Sequence, residues 1–150
     1  MALPDTFKPV FAAEAALTTT GFSTLANAAT MTSDAVNNSS NLYDEGLLEI
    51  KVGGTAAATA WLDVRIAESI DGGTDYSSWE CATKLPSIDM SVDNPIYHTR
   101  FTMPQYWKLM VKNNTGASLD IGSASYQGIN MQVVDYFEIW RRNKTSNQER

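Results

Sequence analysis

Between residues 44 and 134, apolar and polar side chains alternate, and this period of two limits the folds open to the chain. In segment 47–52, the apolar residues Leu48, Ile50 and Val52 alternate with charged ones, and segment 61–66 repeats the pattern. Successive side chains of a strand point to opposite sides, so this alternation is typical of an antiparallel strand with one buried face. A helix would scatter the same charges into its apolar face.

Further segments of this kind follow, separated by residues that favour turns. Asp71-Gly72-Gly73 and the stretch 113–116 are such turns, since glycine permits positive φ and asparagine tolerates it. The additional strands are predicted at 76–83, 95–101, 106–112, 119–121 and 129–133. About seven or eight strands without intervening helices predict an all-β fold, an antiparallel β-sandwich with jelly-roll connectivity.

The chain of 150 residues has the length of one typical domain. Residues 1–40 are rich in Ala and Thr and show no sustained period, which favours an extended N-terminal arm with one short strand or helix. An ordinary edge strand with loops is the alternative for this stretch. We therefore predict an arm at 1–40, a β-sandwich domain at 41–135 and a basic C-terminal tail at 136–150.

Charge is unevenly distributed along the chain. The net charge is −6, but residues 141–150 carry +3, so the first 140 residues carry −9. An acidic body repels phosphate groups, so no nucleic-acid partner is expected. The basic tail is either a solvated end or an anchor for an acidic surface. No signal peptide and no run of about 18 apolar residues is visible, so no membrane association is expected.

Candidate catalytic residues are scarce. Cys81 is the only cysteine and His98 the only histidine, so an intrachain disulfide and a Cys- or His-based zinc site are ruled out by count. The cysteine count favours assembly in a reducing cytoplasm. Asp71 and Asp75 flank two glycines but lack the ligand spacing of an EF-hand, which favours a plain turn. We expect a non-enzymatic protein with no catalytic, cofactor or metal site.

The four tryptophans, Trp61, Trp79, Trp107 and Trp140, allow two interpretations. They fill the core of the sandwich or a subunit interface, which is the usual role of large aromatic residues in strands. Alternatively, they form an exposed platform for sugar rings, as in a carbohydrate-binding module. The sequence favours the first interpretation without excluding the second.

Three runs in order resemble small jelly-roll virion proteins of tailed bacteriophages, including capsid decoration (cement) proteins. They are YDEGLLEIKV at 43–52, ESIDGGTDY at 68–76 and YWKLMVKNNTG at 106–116. The resemblance covers residues 43–134 and leaves out the arm and the tail. It implies a structural protein of the outer capsid surface, assembled in the host cytoplasm, that bridges neighbouring major capsid protein subunits and forms a homo-oligomer, a dimer or a trimer. A tail or fibre component of the virion is an alternative.

A decoration protein acts by binding, so the resemblance carries no catalytic residue over to this chain. Its implied contact regions are the arm and segment 136–142, because extended termini cover a large area when they order on a shell. Apolar anchors and arginines that pair with acidic groups are expected there. The candidate interface residues are Phe7, Phe11, Phe22, Tyr136, Phe137, Trp140, Arg141 and Arg142.

Overall fold

The computed structural model describes residues 6–17, 24–54, 60–134 and 144, except for the side chains of 6, 7 and 132–134. Eleven strands and one short 3-10 helix are found in this part of the chain. The strands are β1 (Thr6–Phe11), β2 (Ala15–Leu17), β3 (Thr30–Thr32), β4 (Val36–Asn37), β5 (Glu45–Gly53), β6 (Trp61–Ser69), β7 (Thr83–Lys84), β8 (Ile88–Asp89), β9 (Ile96–Thr102), β10 (Tyr106–Asn113) and β11 (Asp120–Val134).

The described strands form two antiparallel sheets that pack face to face. The first sheet has the order β1-β11-β5-β9, and β2 pairs with β11 beside β1. The second has the order β3-β10-β6-β7, with β4 also on β10 and β8 also on β6. The predicted all-β sandwich is confirmed.

The strand order is that of a jelly roll. β1 with β2, β3 with β4, and β7 with β8 each act as one interrupted strand, because both members pair with the same neighbour. Eight successive strands then remain, ordered first-eighth-third-sixth in one sheet and second-seventh-fourth-fifth in the other. The first pairs with the eighth, the second with the seventh, the third with the sixth and the fourth with the fifth. This is a long hairpin wrapped into two sheets, the double Greek key of jelly rolls.

The core lies between the sheets and is built from the alternating residues of the long strands. Leu48, Ile50 and Val52 of β5 point into it, and the inner positions of β6 and β10 meet them. Trp107 is fully buried and packs edge-on against Phe101, with ring centroids 4.9 Å apart. Each buried aliphatic side chain contributes roughly 1.5–3 kcal/mol by leaving water, so this cluster is the main stabilising element.

Residues 1–40 contribute strands to both sheets. In the described parts, β1 and β2 pair with β11, while β3 and β4 pair with β10. The sandwich therefore includes residues that the sequence had assigned to an extended arm. Strands of two or three residues are too short to show a period of two, which explains why the sequence pattern did not reveal them.

The strand predicted at 76–83 is wrong. Residues 79–81 form the 3-10 helix Trp79–Cys81, and only Thr83–Lys84 at its end joins a sheet. The backbone amides of Cys81 and Ala82 both bond to the carbonyl of Ser78, which closes this turn. The alternation there reflects a loop that packs over the outer face of the second sheet. No helix among the described residues is long and apolar enough to cross a membrane.

Candidate binding surfaces

The two ends of the described domain pair with each other in a projecting two-stranded ribbon. Glu45 is the first residue of β5 and pairs with Ile129 of β11. Beyond Ile129, residues 130–134 pair with residues 6–10 of β1 and with no other strand that the structure describes. At about 3.3 Å per residue, this terminal ribbon extends roughly 17 Å past the β5 edge. Within the described part of the chain, no further strand pairs with either side of the ribbon, so its backbone groups form a template for contact with another chain.

Apolar side chains are exposed on and beside the terminal ribbon. Val10, Phe11 and Met131 are 42%, 47% and 47% exposed. The guanidinium of Arg100 lies 6.0 Å from the centroid of the Phe11 ring and 3.7 Å from a carboxylate oxygen of Glu45. Successive residues of a strand point to opposite sides, so the register places Phe11 and Met131 on one face of the ribbon and Val10 on the other. The ribbon thus exposes apolar side chains on both faces, with one charged pair beside its base, which is the composition of a protein-binding surface.

The predicted contact residues are unevenly placed with respect to this ribbon. Phe7 pairs with Val133 on it, and Phe11 pairs with Ile129 at its base. The other candidates lie outside the described residues, namely Phe22, Tyr136, Phe137, Trp140, Arg141 and Arg142. In the tail, the described residue Lys144 is exposed.

A polar groove of about 270 Å³ lies on the outer face of the first sheet. It is lined by Glu14, Leu47, Glu49, His98, Ser125, Tyr126 and Gln127. Ser125 donates its hydroxyl to Glu14 at 2.5 Å, and His98 Nε2 lies 2.6 Å from Glu49 Oε2. The serine and the histidine are therefore each bonded to a different carboxylate, so neither of these bonds is the Ser–His contact that nucleophilic catalysis requires.

Glu49 is the most strongly bonded carboxylate of this groove. Its side chain contacts His98 and, at 3.1 Å, the Lys51 ammonium. These hydrogen bonds, that of His98 first, lower the pKa of the Glu49 carboxyl below its ordinary value. A carboxylate held ionised by its neighbours is suited to binding and poorly suited to donating a proton.

The loop after β6 is organised by Asp71. Its carboxylate accepts hydrogen bonds from the Ser69 hydroxyl at 2.5 Å and from the backbone amides of Thr74 and Asp75 at 3.1 and 3.0 Å. The hydrogen bond from Ser69, followed by those from the backbone, lowers the pKa of Asp71. The carboxylate thus closes a turn, as the sequence interpretation favoured.

The outer face of the second sheet carries a cluster of cations that the sequence interpretation did not single out. Arg65, Lys84, Lys108 and Lys112 project from β6, β7 and β10, and we call this set the cationic face. The 3-10 helix lies across it, with Trp79 over Arg65. The guanidinium is 4.4 Å from the ring centroid of Trp79, and Arg65 Nη1 donates to the Trp79 carbonyl at 2.7 Å. The sequence signal for this face is that Lys108 and Lys112 both occupy outward-facing positions of β10.

The tryptophans have different environments. Trp107 fills the core as expected, whereas Trp61 is half exposed at the start of β6. Trp79 lies on the cationic face, and Trp140 is outside the described residues. The core interpretation is therefore confirmed for Trp107. Trp61 and Trp79 lie outside the core, and a place for them in a subunit interface stays a prediction.

Comparison with known proteins assigns no family to this arrangement. No family model matches the chain, and no curated protein sequence matches it. In the part of the chain that the structure describes, no group of three or more His, Cys, Asp and Glu side chains is placed to hold a metal ion. Its function has to be argued from the surfaces described above.

Proposed function

We propose that this chain is a non-enzymatic structural protein of a tailed-bacteriophage virion. It decorates the outer capsid surface and stabilises the shell by bridging neighbouring major capsid protein subunits. Copies of the chain associate as a dimer or trimer on the shell after assembly in the host cytoplasm. The jelly-roll sandwich is consistent with this role, and the sequence runs at 43–52, 68–76 and 106–116 resemble such proteins.

The terminal ribbon is the observation that carries the proposal. A two-stranded ribbon is at best marginally stable alone in water, so one that projects from a domain gains stability from a surface that covers it. Here it exposes Val10 and Met131 and leads directly into the basic tail at 136–150. An apolar ribbon followed by a basic segment fits a neighbour that encloses the ribbon in an apolar groove with an acidic rim.

The open edges of the two sheets also differ in a way that favours adhesion through the first sheet. The second sheet ends in interrupted strands of two or three residues, which are poor templates for further pairing. The first sheet ends in the longer β1 and β9, of six and seven residues. Modest contacts of this kind, repeated over many copies on a shell, give high avidity without one strong interface.

A carbohydrate-binding module is less well supported by the same surfaces. Stacking a sugar ring requires a free aromatic face. Trp107 is buried in the core, and Trp79 already stacks against Arg65. Trp61 is a single half-exposed ring at a strand end.

A tail or fibre role shares the adhesive surfaces and differs in the number of copies per particle.

Occupancy of purified capsids tests the contact regions. The variants are a truncation of residues 136–150 and the double substitution Val10→Glu with Met131→Glu, which places one charge on each face of the terminal ribbon. Each is added to capsids that lack the protein, and bound copies are counted by quantitative gel densitometry. We expect each variant to lower occupancy at least about tenfold. When several modest contacts bind together, losing one of them also removes its gain in effective concentration for the others, so the overall affinity falls steeply.

Val92→Glu is the matched control. Val92 is exposed, and it lies in the loop where Asn94 bonds to Gly54, at the opposite end of β5 from the ribbon. Its substitution adds the same type of charge and should leave occupancy unchanged. Unchanged occupancy of both the truncated protein and the ribbon variant would remove these regions from the interface.

A further inference from the structure

The cationic face brings like charges together across neighbouring strands. Arg65 is the direct partner of Lys84 on β7 and of Met110 on β10. Lys108 and Lys112 flank Met110 along β10, so both are diagonal neighbours of Arg65, at a distance of roughly 7–8 Å in such sheets. Like charges opposite each other destabilise a sheet. Trp79 covers Arg65, whose Nε is buried, so the cations that a partner can reach are the three lysines. A negative partner would offset the repulsion on this face.

These cations make no ion pair among the described residues, in contrast to those of the other sheet. The ion pairs found in this part of the chain join Lys51 and His98 to Glu49, and Arg100 to Glu45. All of them lie on the first sheet. On the cationic face, Asp63 is the register partner of Lys112, but its carboxylate accepts hydrogen bonds from Ser87 and Asn114.

Aromatic rings position the cations without neutralising them. Lys108 Nζ lies 4.3 Å from the centroid of the Tyr76 ring, and Lys112 Nζ lies 5.8 Å from that of Trp79. A cation over a ring keeps N–H groups free to donate to carboxylates. The same stacking occupies ring faces that single-stranded nucleic acid would need for its bases, so the geometry favours a carboxylate-rich protein.

We infer that the cationic face is a docking surface for a carboxylate-rich protein surface. This inference rests on the proposed function and makes it more specific. The partner is then an acidic patch on the surface of the capsid shell. The terminal ribbon and the cationic face then belong to different sheets. One copy can therefore contact two shell subunits at once, which is what bridging requires.

Binding of a fluorescein-labelled oligoglutamate peptide, followed by anisotropy, tests the chemistry of this face directly. The measurement is made at about 0.15 M salt, where the Debye length of about 8 Å screens the net negative charge but not contacts at the face. The test variant is Lys108→Gln with Lys112→Gln. We expect the full chain to bind the peptide and this variant to bind it at least about tenfold more weakly.

Lys51→Gln is the charge control, since it removes a positive charge from the first sheet at a residue that is already paired with Glu49. It should change affinity less than about twofold. Equal weakening by both variants, or no binding by the full chain, would overturn the inference. So would tighter binding of a labelled oligothymidylate through the same two lysines. The peptide readout does not depend on a virion, so it can succeed even if the chain is absent from virions.

Discussion

Gly46 of β5 and Gly128 of β11 are direct partners across the first sheet, and an aromatic ring lies over each of them. A Cβ added at Gly46 would lie 2.5 Å from Cε1 of Phe101, and one at Gly128 would overlap the ring of Tyr43. Neither glycine needs a positive φ. They are required for space, because the two rings close the core at the end of the sandwich where the terminal ribbon begins.

Gly46→Ala and Gly128→Ala should therefore each destabilise the fold. A side chain forced into a packed site typically costs about 1–3 kcal/mol, and we expect values in that range from urea unfolding. Gly53→Ala is the control on the same strand, since its added Cβ would make an ordinary contact at 3.5 Å with the Asp120 carbonyl. If all three variants were equally stable, the steric account of the glycine pair would be refuted.

Asn113 ends β10 and holds two loops together from a fully buried position. Its Nδ2 donates to the carbonyls of Leu25 and Ala117 at 2.9 and 2.7 Å, and its Oδ1 accepts from the amide and the hydroxyl of Thr115. Asn113→Ala removes all four bonds. The carbonyls of Leu25 and Ala117 keep those from the Leu119 amide and the Thr115 hydroxyl, whereas the Thr115 amide loses its bond to Oδ1. We expect a loss of about 1–3 kcal/mol in the free energy of unfolding.

The neighbouring exposed residue provides the comparison for that measurement. Asn114 donates to Asp63 at 2.7 Å in an exposed setting, where water can replace it. Asn114→Ala should change stability by less than about 0.5 kcal/mol. A small effect at both positions would mean that the loops are held by their backbone bonds alone.

Acid should weaken the fold in part through Asp71. Its pKa is lowered in the folded state, so the folded protein binds fewer protons there than the unfolded chain does. The resulting stability is fully present above the ordinary carboxyl pKa of 3.8 and is lost as pH falls through the lower folded value. Asp71→Asn should therefore be less stable than the unmodified protein at neutral pH.

The difference in stability between the unmodified protein and Asp71→Asn should shrink as pH falls below the folded-state pKa of Asp71, because both proteins then carry a neutral side chain at residue 71. Chemical unfolding followed by circular dichroism across the acid range measures it. A difference that stays constant with pH would show that the Asp71 charge does not stabilise the loop.

Hydrogen exchange should separate the terminal ribbon from the sandwich. In the free protein, amides of 130–134 should exchange at least about a hundredfold faster than those of Leu48 and Ile50, since local opening of a two-stranded ribbon costs little. Binding to capsids should slow exchange in 6–10 and 130–134. Fast exchange there in both states would show that the ribbon takes no part in binding.

The long strands were predictable from the sequence because each has one solvent-exposed face and one buried face. The inner residues of β5, β6 and β10, such as Ile50, Val64 and Leu109, are buried as the alternation predicted. The prediction of a strand at 76–83 failed because Trp79 packs outside the sheet. Its ring is partly buried by contact with Arg65, so its place in the alternating pattern does not mark the inner face of a strand.

The candidate surfaces were predictable only in part. Phe7 and Phe11 were chosen from the sequence and do lie on β1. That β1 would pair with the end of β11 could not be read, because no local signal links residues about 120 positions apart, such as Val10 and Asn130. The cationic face was hidden for the same reason, since Arg65, Lys84 and Lys108 meet only after three strands have assembled.

Copy number in purified virions tests the central claim most directly. If the proposed function holds, quantitative mass spectrometry of purified particles gives the ratio of this protein to the major capsid protein. A decoration protein must be present in hundreds of copies, at a fixed ratio to the shell subunit. Absence from the particle, or a handful of copies as expected of a tail component, would contradict the account.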